Sequence, residues 1–345
     1  MVRVRELAQD DLGHVLESAR RAWPGLRGAH VVITGANGFV GSWMTETLLY
    51  ASRAQSLGVA VTAVVRDASA FRARFPYLAG APRVAVVEGD VRTVRLPARF
   101  THVVHCASAA TPAENAGNPE RIADMIVTGT ANLLSESERV GGVRFLQMSS
   151  GSVYGPQPPD LDRIPETYAG EANPLVPAQR FGAAKLAAER RGLESVKRGT
   201  AFVAARGFAL VGPRLVLDGT YAIGNFIGAV LAGKPIEISG DGTPVRSWMY
   251  AADLAAWCWM ILAHGVPGSA YNVGSDEAMT IDAAAARVAV CAASSAGIVR
   301  RAEPVPGAKA ARFVPDIARA RAGLGVSVWI PFDDAVARTI AWWRQ

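Results

Sequence analysis

Residues 34–41 run Thr-Gly-Ala-Asn-Gly-Phe-Val-Gly, with glycines at 35, 38 and 41 directly behind the apolar run Val31-Val32-Ile33. Few short segments constrain a fold more tightly. Glycine permits a sharp turn off a strand, lets the backbone approach a pyrophosphate, and lets the next helix pack close to the sheet. The first amides and dipole of that helix then face the phosphates. The loop lies between a strand of the buried type and a helix predicted from Ser42 to about residue 57, the context a dinucleotide-binding βα unit requires.

The rest of the first two hundred residues repeats this alternation. Strands are predicted at 59–65, 84–88, 101–106, 143–148 and 201–206, with helices near 119–139 and 178–197. Strands and helices in alternation argue for an α/β fold, a Rossmann-type doubly wound parallel sheet covered on both faces. Residues 1–27 read as a short amphipathic helical extension through Leu7, Leu12, Val15, Leu16, Ala19 and Trp23. Residues 28–206 form the NAD(P)-binding domain, including the catalytic segment. Beyond residue 207 the pattern breaks into Gly- and Pro-rich stretches, read as a smaller substrate-binding lobe over 207–345 that interleaves with the first domain.

The chain has 345 residues and a net charge of +6, with its arginines scattered and no basic run of the kind that binds nucleic acid. Three cysteines, Cys106, Cys258 and Cys291, lie far apart in no metal-binding spacing, which suggests a reducing compartment and no metal. No apolar stretch reaches the roughly 18 residues of a membrane span and no secretory pattern opens the chain, so a cytoplasmic location is expected.

Three strand ends indicate how a dinucleotide would be held. At the end of the second strand an acid suits two free ribose hydroxyls, whereas an arginine suits a 2′-phosphate. Here the strand ends Val65-Arg66-Asp67, which offers both; Arg66 leans the reading towards NADP, with NAD left open. Asp90 and Val91 after the third strand would approach the adenine. His105, Cys106, Ala107 and Ser108 after the fourth would line the nicotinamide ribose.

These features, with Met148-Ser149-Ser150-Gly151-Ser152-Val153-Tyr154-Gly155, the helix around Lys185, and Arg206 through Gly212-Pro213, resemble the extended short-chain dehydrogenase/reductases. The nearest branch is the nucleotide-sugar epimerases and dehydratases, and the similarity runs from about residue 28 to the C-terminus. It implies cofactor contacts from Gly35, Asn37, Gly38, Phe39, Val40, Gly41, Arg66, Asp90, Val91, Ala107, Ser108, Lys185 and Phe208. In that family a tyrosine phenolate takes the proton of a sugar hydroxyl. A lysine four residues later lowers the phenol's pKa and holds the coenzyme ribose, and a Ser or Thr binds the reacting oxygen. An unassisted phenol titrates near 10, so the ammonium is needed, and a spacing of four sets both side chains on one helix face.

Ser150 and Lys185 match two members of this set. The third position is Phe181, in Arg180-Phe181-Gly182-Ala183-Ala184-Lys185, where the ring is kept and the hydroxyl is gone. Three readings stand open: an engineered Tyr-to-Phe variant, a natural departure using water or another base, or a binding-competent member without turnover. Tyr154 is expected to pack behind the site, and Tyr168 lies in a loop.

The resemblance also narrows the reaction. The 4,6-dehydratases carry Asp-Glu directly after the Ser/Thr, where this chain has Gly151 and Ser152, neither able to transfer protons near neutrality. Dehydration is therefore disfavoured. A nucleotide-diphosphate-sugar epimerase working through a transient keto-sugar fits, with 4-ketoreductase, dehydratase or decarboxylase of the same family as alternatives and a non-catalytic nucleotide-sugar or dinucleotide binder as the alternative of another class. Ser150, Gly151, Ser152, Asn225 and Arg246 are the expected substrate contacts. For Arg246 a surface salt bridge competes with phosphate binding, and for Asn225 a helix cap does. Ala209 and Ile126 stand where the family often has Asn. Asp253 is expected to cap a helix or pair with an arginine, and Trp257, Trp259, Trp342 and Trp343 to be core or interface aromatics. A homodimer through the helices flanking the catalytic segment is the expectation the branch carries.

Overall fold

The computed structural model describes residues 4–108, 118–217, 219 and 221–345. Helix α1 (Gln9–Ser18) and a 3-10 turn (Trp23–Leu26) lead into β1 (His30–Thr34). Then come α2 (Phe39–Ala54), β2 (Ala60–Val65), α3 (Ala68–Arg74), β3 (Val84–Glu88) and β4 (His102–His105). They are followed by α4 (Pro119–Val140), β5 (Arg144–Ser150), α5 (Arg180–Val196) and β6 (Ala201–Gly207). The C-terminal part supplies α6 (Ala222–Leu231), α7 (Ala251–His264), β7 (Ala270–Val273), α8 (Ile281–Cys291) and α9 (Phe332–Arg344).

One sheet takes seven strands in the order β7-β6-β5-β4-β1-β2-β3, all paired in parallel. Winding reverses between β1 and β4, so their carboxyl ends open a crevice, the place where such sheets bind ligands. Val31, Val32 and Ile33 are wholly buried, as a strand covered on both faces must be. Helix α2 starts earlier than its sequence pattern suggests, because Gly38 ends the glycine loop as its N-cap.

Strand β7 pairs with β6 from Ala270 against Ala204 to Val273 against Gly207, and α7 packs on β5 and β6. Helix α7 is buried continuously from Ala251 to Leu262 and is apolar there except for Asp253, the pattern of a helix inside a core. Residues 251–273 thus return to the seven-stranded sheet. The lobe proper holds α6, α8 and two small sheets around Ile236–Ile238 and Val245–Arg246.

The N-terminal extension is built into the body. Leu7, Leu12, Val15, Ala19 and Trp23 are buried, and Asp11 accepts from the Tyr250 hydroxyl at 2.7 Å and from Arg338 at 2.8 Å. The Trp342 indole donates to the Glu6 carbonyl at 3.1 Å. Among the described residues Asp253 pairs with no arginine. Its partner is His14 Nε2 at 2.7 Å, and its other oxygen accepts the backbone N–H groups of Trp329 and Ile330 at 2.9 and 3.0 Å. Trp257 and Trp259 are core residues, whereas Trp343 is exposed. Among the described residues no helix is long and apolar enough to cross a membrane.

Candidate active site

The glycine loop closes tightly on β1 and β4. Gly35 has φ +68°, and a Cβ on it would meet the Ala107 Cα at 2.8 Å. A Cβ on Gly41 would sit 2.2 Å from the Gly35 carbonyl oxygen. Gly38 brings no side chain to cap α2, so the first amides of that helix, on Phe39, Val40 and Gly41, have neither a side-chain cap nor an intrahelical partner. Asn37 Oδ1 is buried and has no partner among the described residues, an acceptor suited to a ribose hydroxyl. These residues fit a dinucleotide: an uncapped helix start, a backbone bare enough for close approach, and an orphaned polar atom.

The other strand ends are arranged less simply. Arg66 is exposed at the end of β2, and Asp67 is the N-cap of α3. Asp90 is bound by Arg92, whose guanidinium holds that carboxyl below its usual range. Val91 is buried under α4, where its carbonyl accepts from Asn132 Nδ2 at 3.0 Å. His105 does not line the ribose. Its ring is buried between Thr34 Oγ1 at 2.7 Å and Thr130 Oγ1 at 3.2 Å, and burial drives its pKa down to about 3, so it is a neutral tie between strands and helix. Ala107 stays at the crevice, its N–H donating to Thr34 Oγ1 at 3.3 Å, with Ser108 beside it.

Strand β5 ends at Ser150, which caps the 3-10 turn Gly151–Tyr154 by accepting the Ser152 N–H at 3.1 Å. Its hydroxyl also donates to Ser152 Oγ at 3.1 Å, so the two serines form one polar pair. Gly151 lies under the Phe208 ring, which a Cβ would strike at 2.7 Å. The ring of Phe208 packs on Phe313 at 4.6 Å between centroids, so Phe208 acts as a floor beside the serines.

Lys185 reaches β5 from α5 and is buried, with Nζ donating to the Met148 carbonyl at 2.8 Å, two residues before Ser150. Burial pulls its pKa down to about 8, while Cys106 and Glu189 act the other way. The Phe181 ring lies 5.7 Å from Nζ and packs with Ile122, Ile126, Ala184 and Ala188. Tyr154 does not substitute for the missing phenol. Burial raises its pKa, and its hydroxyl donates to Asn272 Oδ1 at 2.8 Å while accepting from Arg206 at 2.8 Å.

Behind Ser150 lies a buried polar network that residue-by-residue reading missed. Glu189 accepts from the neighbouring Ser149 hydroxyl and pairs with Arg206 at 2.6 Å. Arg206 reaches Tyr154, and Tyr154 reaches Asn272 on β7. The signal was present: Phe181, Lys185 and Glu189 are spaced by four, one face of α5.

On the lobe side, Asn225 does not cap α6; it is the fourth residue of that helix, and its Oδ1 accepts the Gly219 N–H at 2.7 Å. Arg246 makes no salt bridge among the described residues. Its Nη1 donates to the carbonyls of Val245 at 2.9 Å and Ala311 at 3.3 Å. Arg246 pairs in register with Phe313, which touches Phe208 and so Gly151. Asn225 and Arg246 flank the lobe, and only Arg246 is tied to the serines by this chain of contacts.

Residues 31–274 match the family described as the NAD dependent epimerase/dehydratase family. The chain is 28% identical over 316 residues to UDP-glucuronic acid decarboxylase 1 of Xenopus tropicalis, covering 91% of this chain and 72% of that relative. It is 28% identical over 323 residues to dTDP-glucose 4,6-dehydratase of Streptomyces griseus, covering 92% and 94%. Among solved structures, UDP-glucuronic acid 4-epimerase of Bacillus cereus, in complex with UDP-glucuronic acid and NAD, has the same fold. Its TM-score is 0.77 at 23% identity, over 92% of this chain and 99% of that one. The matched stretch contains the glycine loop, Ser150 and Lys185, and the protein is a member of the NAD-dependent epimerase/dehydratase family.

Proposed function

We propose that this chain acts on a nucleotide-diphosphate sugar as an epimerase, through a transient keto-sugar and with bound NAD(P). The observation that carries the reading is Lys185 delivered to the carboxyl end of β5, its Nζ on the Met148 carbonyl two residues before Ser150 of the serine pair. A bound nicotinamide coenzyme supplies the acceptance and return of hydride. Ser150 would hold the reacting sugar oxygen, Lys185 would hold the coenzyme ribose, and Arg246 would meet diphosphate with its planar fork. Gly151 under the Phe208 ring leaves no room for the acid that dehydration needs, which weighs against a dehydratase. Arg66 leans the coenzyme towards NADP.

Phe181 supports a second reading, a protein that binds nucleotide sugar and turns it over poorly, because no phenol stands ready to take the hydroxyl proton. Both readings are separated by assaying the unchanged protein and Phe181→Tyr, following reduced nicotinamide on addition of candidate UDP- and dTDP-sugars. A general base contributes about 10²–10⁴ in rate, so Phe181→Tyr is expected to raise turnover by about that factor. Turnover by neither form on any nucleotide sugar contradicts the enzyme reading; efficient turnover by the Phe form means another base is at work. A homodimer through α4 and α5 belongs to the same proposal; an open groove of about 480 Å³ there is lined by Ala123, Val127, Ala183 and Ala187 and rimmed by Glu120, Glu171, Arg180 and Arg190.

A further inference from the structure

With phenylalanine at 181 the site needs another proton acceptor, and the described residues around the serines narrow the choice. Tyr154 is engaged: its hydroxyl donates to Asn272 Oδ1 and accepts from Arg206, each at 2.8 Å. Glu189 takes the Ser149 hydroxyl and pairs with Arg206 at 2.6 Å. The His105 ring is a neutral tie between Thr34 and Thr130. Burial pushes the Cys106 thiol up to about 12, so it stays protonated near neutrality. Tyr168 packs on Tyr154, 6.1 Å between ring centroids, in an apolar cluster with Leu161 and Phe313.

Lys185 is placed differently. Its buried Nζ donates to one neutral group, the Met148 carbonyl at 2.8 Å, and among the described residues no carboxylate forms an ion pair with it. The ammonium has three hydrogens; the free amine has two and a lone pair, so the bond to Met148 leaves the lone pair available. The titratable groups that face it are Cys106 and His105 from the end of β4 and Glu189 from α5. Burial outweighs them and brings the group to about 8, so both of its forms are populated near neutrality. The spacing also suits a shared hydroxyl. Met148 and Ser150 lie about 6–7 Å apart along the strand, and a hydroxyl bonded to both Nζ and Ser150 Oγ needs them about 5–6 Å apart.

We infer that Lys185 is the acid–base group of this chain: the free amine takes the proton of the sugar hydroxyl held at Ser150, and the ammonium returns it. The sugar O–H bond breaks and an N–H bond forms at Nζ. The hydride of the same carbon goes to the coenzyme that the epimerase reading already supplies, and a carbonyl remains. Hydride return to the opposite face, with the proton back on oxygen, gives the epimer. The inference rests on that reading and names the base it lacks.

The test follows turnover of the same UDP- and dTDP-sugars by NMR from about pH 6 to 10, with coenzyme binding read in parallel by nicotinamide fluorescence. For the unchanged protein kcat/KM is expected to rise about tenfold per pH unit up to about 8 and then level. The advantage of Phe181→Tyr should therefore narrow as pH rises. Lys185→Arg keeps a charge that does not titrate. It should cut turnover by about 10²–10⁴ in the Phe181 protein and by far less in Phe181→Tyr, where a phenol serves. Lys185→Ala should lose turnover as well and regain part of it on addition of methylamine, whereas Tyr168→Phe should leave the rate unchanged. A pH-independent rate, turnover kept in Lys185→Arg, or loss in Tyr168→Phe overturns the inference alone. So does an inert Phe form beside an active Phe181→Tyr. Inactivity of both forms on every sugar, with coenzyme bound, removes the epimerase reading and the inference with it.

Discussion

Phe181 and Lys185 show how one missing oxygen changes the chemistry around it. In the family pattern the ammonium serves a phenol; here Nζ has an aromatic face and the Met148 carbonyl, and among the described residues no carboxylate forms an ion pair with it. That burial has a measurable consequence. The ordinary lysine pKa of 10.5 falls to about 8 in the fold, mainly through desolvation. Below pH 8 the lysine is charged in both folded and unfolded chains, and the fold bears the full burial penalty. Between pH 8 and 10.5 the unfolded chain binds a proton the fold has released, so stability rises with pH. Lys185→Met should therefore be at least as stable as the unchanged protein at pH 7, with the difference shrinking as pH rises through that window. Urea midpoints of the two coenzyme-free proteins across pH check this; a wild-type protein that instead loses ground to the variant over that range contradicts it. At this scale Ser150 and Lys185 were legible because their roles sit in local sequence patterns. Glu189 and Asn272 were less so, since their partners on β6 and the 3-10 turn are far off in sequence and meet only in the folded sheet.

The β1-α2 turn is the element on which the site depends most. A methyl group on Gly41 would lie 2.2 Å from one carbonyl oxygen and 2.7 Å from its carbon, so backbone must move. Gly41→Ala is expected to cost about 1–3 kcal/mol of stability by overpacking and to weaken dinucleotide binding. Gly13, inside α1 with nothing near its would-be Cβ, is the control: Gly13→Ala should stabilise by about 0.5–1 kcal/mol through helix propensity. Chemical denaturation of both variants decides it, and a Gly41→Ala protein of unchanged stability and affinity would remove the turn from its assigned role. Elements with continuous apolar runs were read from sequence to within a few residues. Strand β7 was not, because Ala270-Tyr271-Asn272-Val273 is short and mixed in polarity, and its place is set by pairing with β6. Helix α7 carries no amphipathic stripe, so its sequence does not announce which sheet it covers.

For the whole molecule, the doubly wound sheet brings together segments more than a hundred residues apart at one edge: the glycine loop from β1, Ala107 from β4, Ser150 from β5 and Lys185 from α5. The N-terminal extension and α9 close the opposite side through Asp11, Tyr250 and Arg338, joining the first and last helices. That brace was legible only as an amphipathic pattern, since its partners lie over two hundred residues downstream. The central claim is that the nicotinamide end of a dinucleotide faces Ser150 and Lys185. A crystal structure of the protein with reduced coenzyme tests it most directly. The pyrophosphate is expected over the amides of Phe39 and Val40, and the nicotinamide ribose about 3 Å from Lys185 Nζ. A crevice filled by the protein's own side chains, or a coenzyme whose ring lies away from Ser150 with Lys185 still turned to Met148, would contradict it.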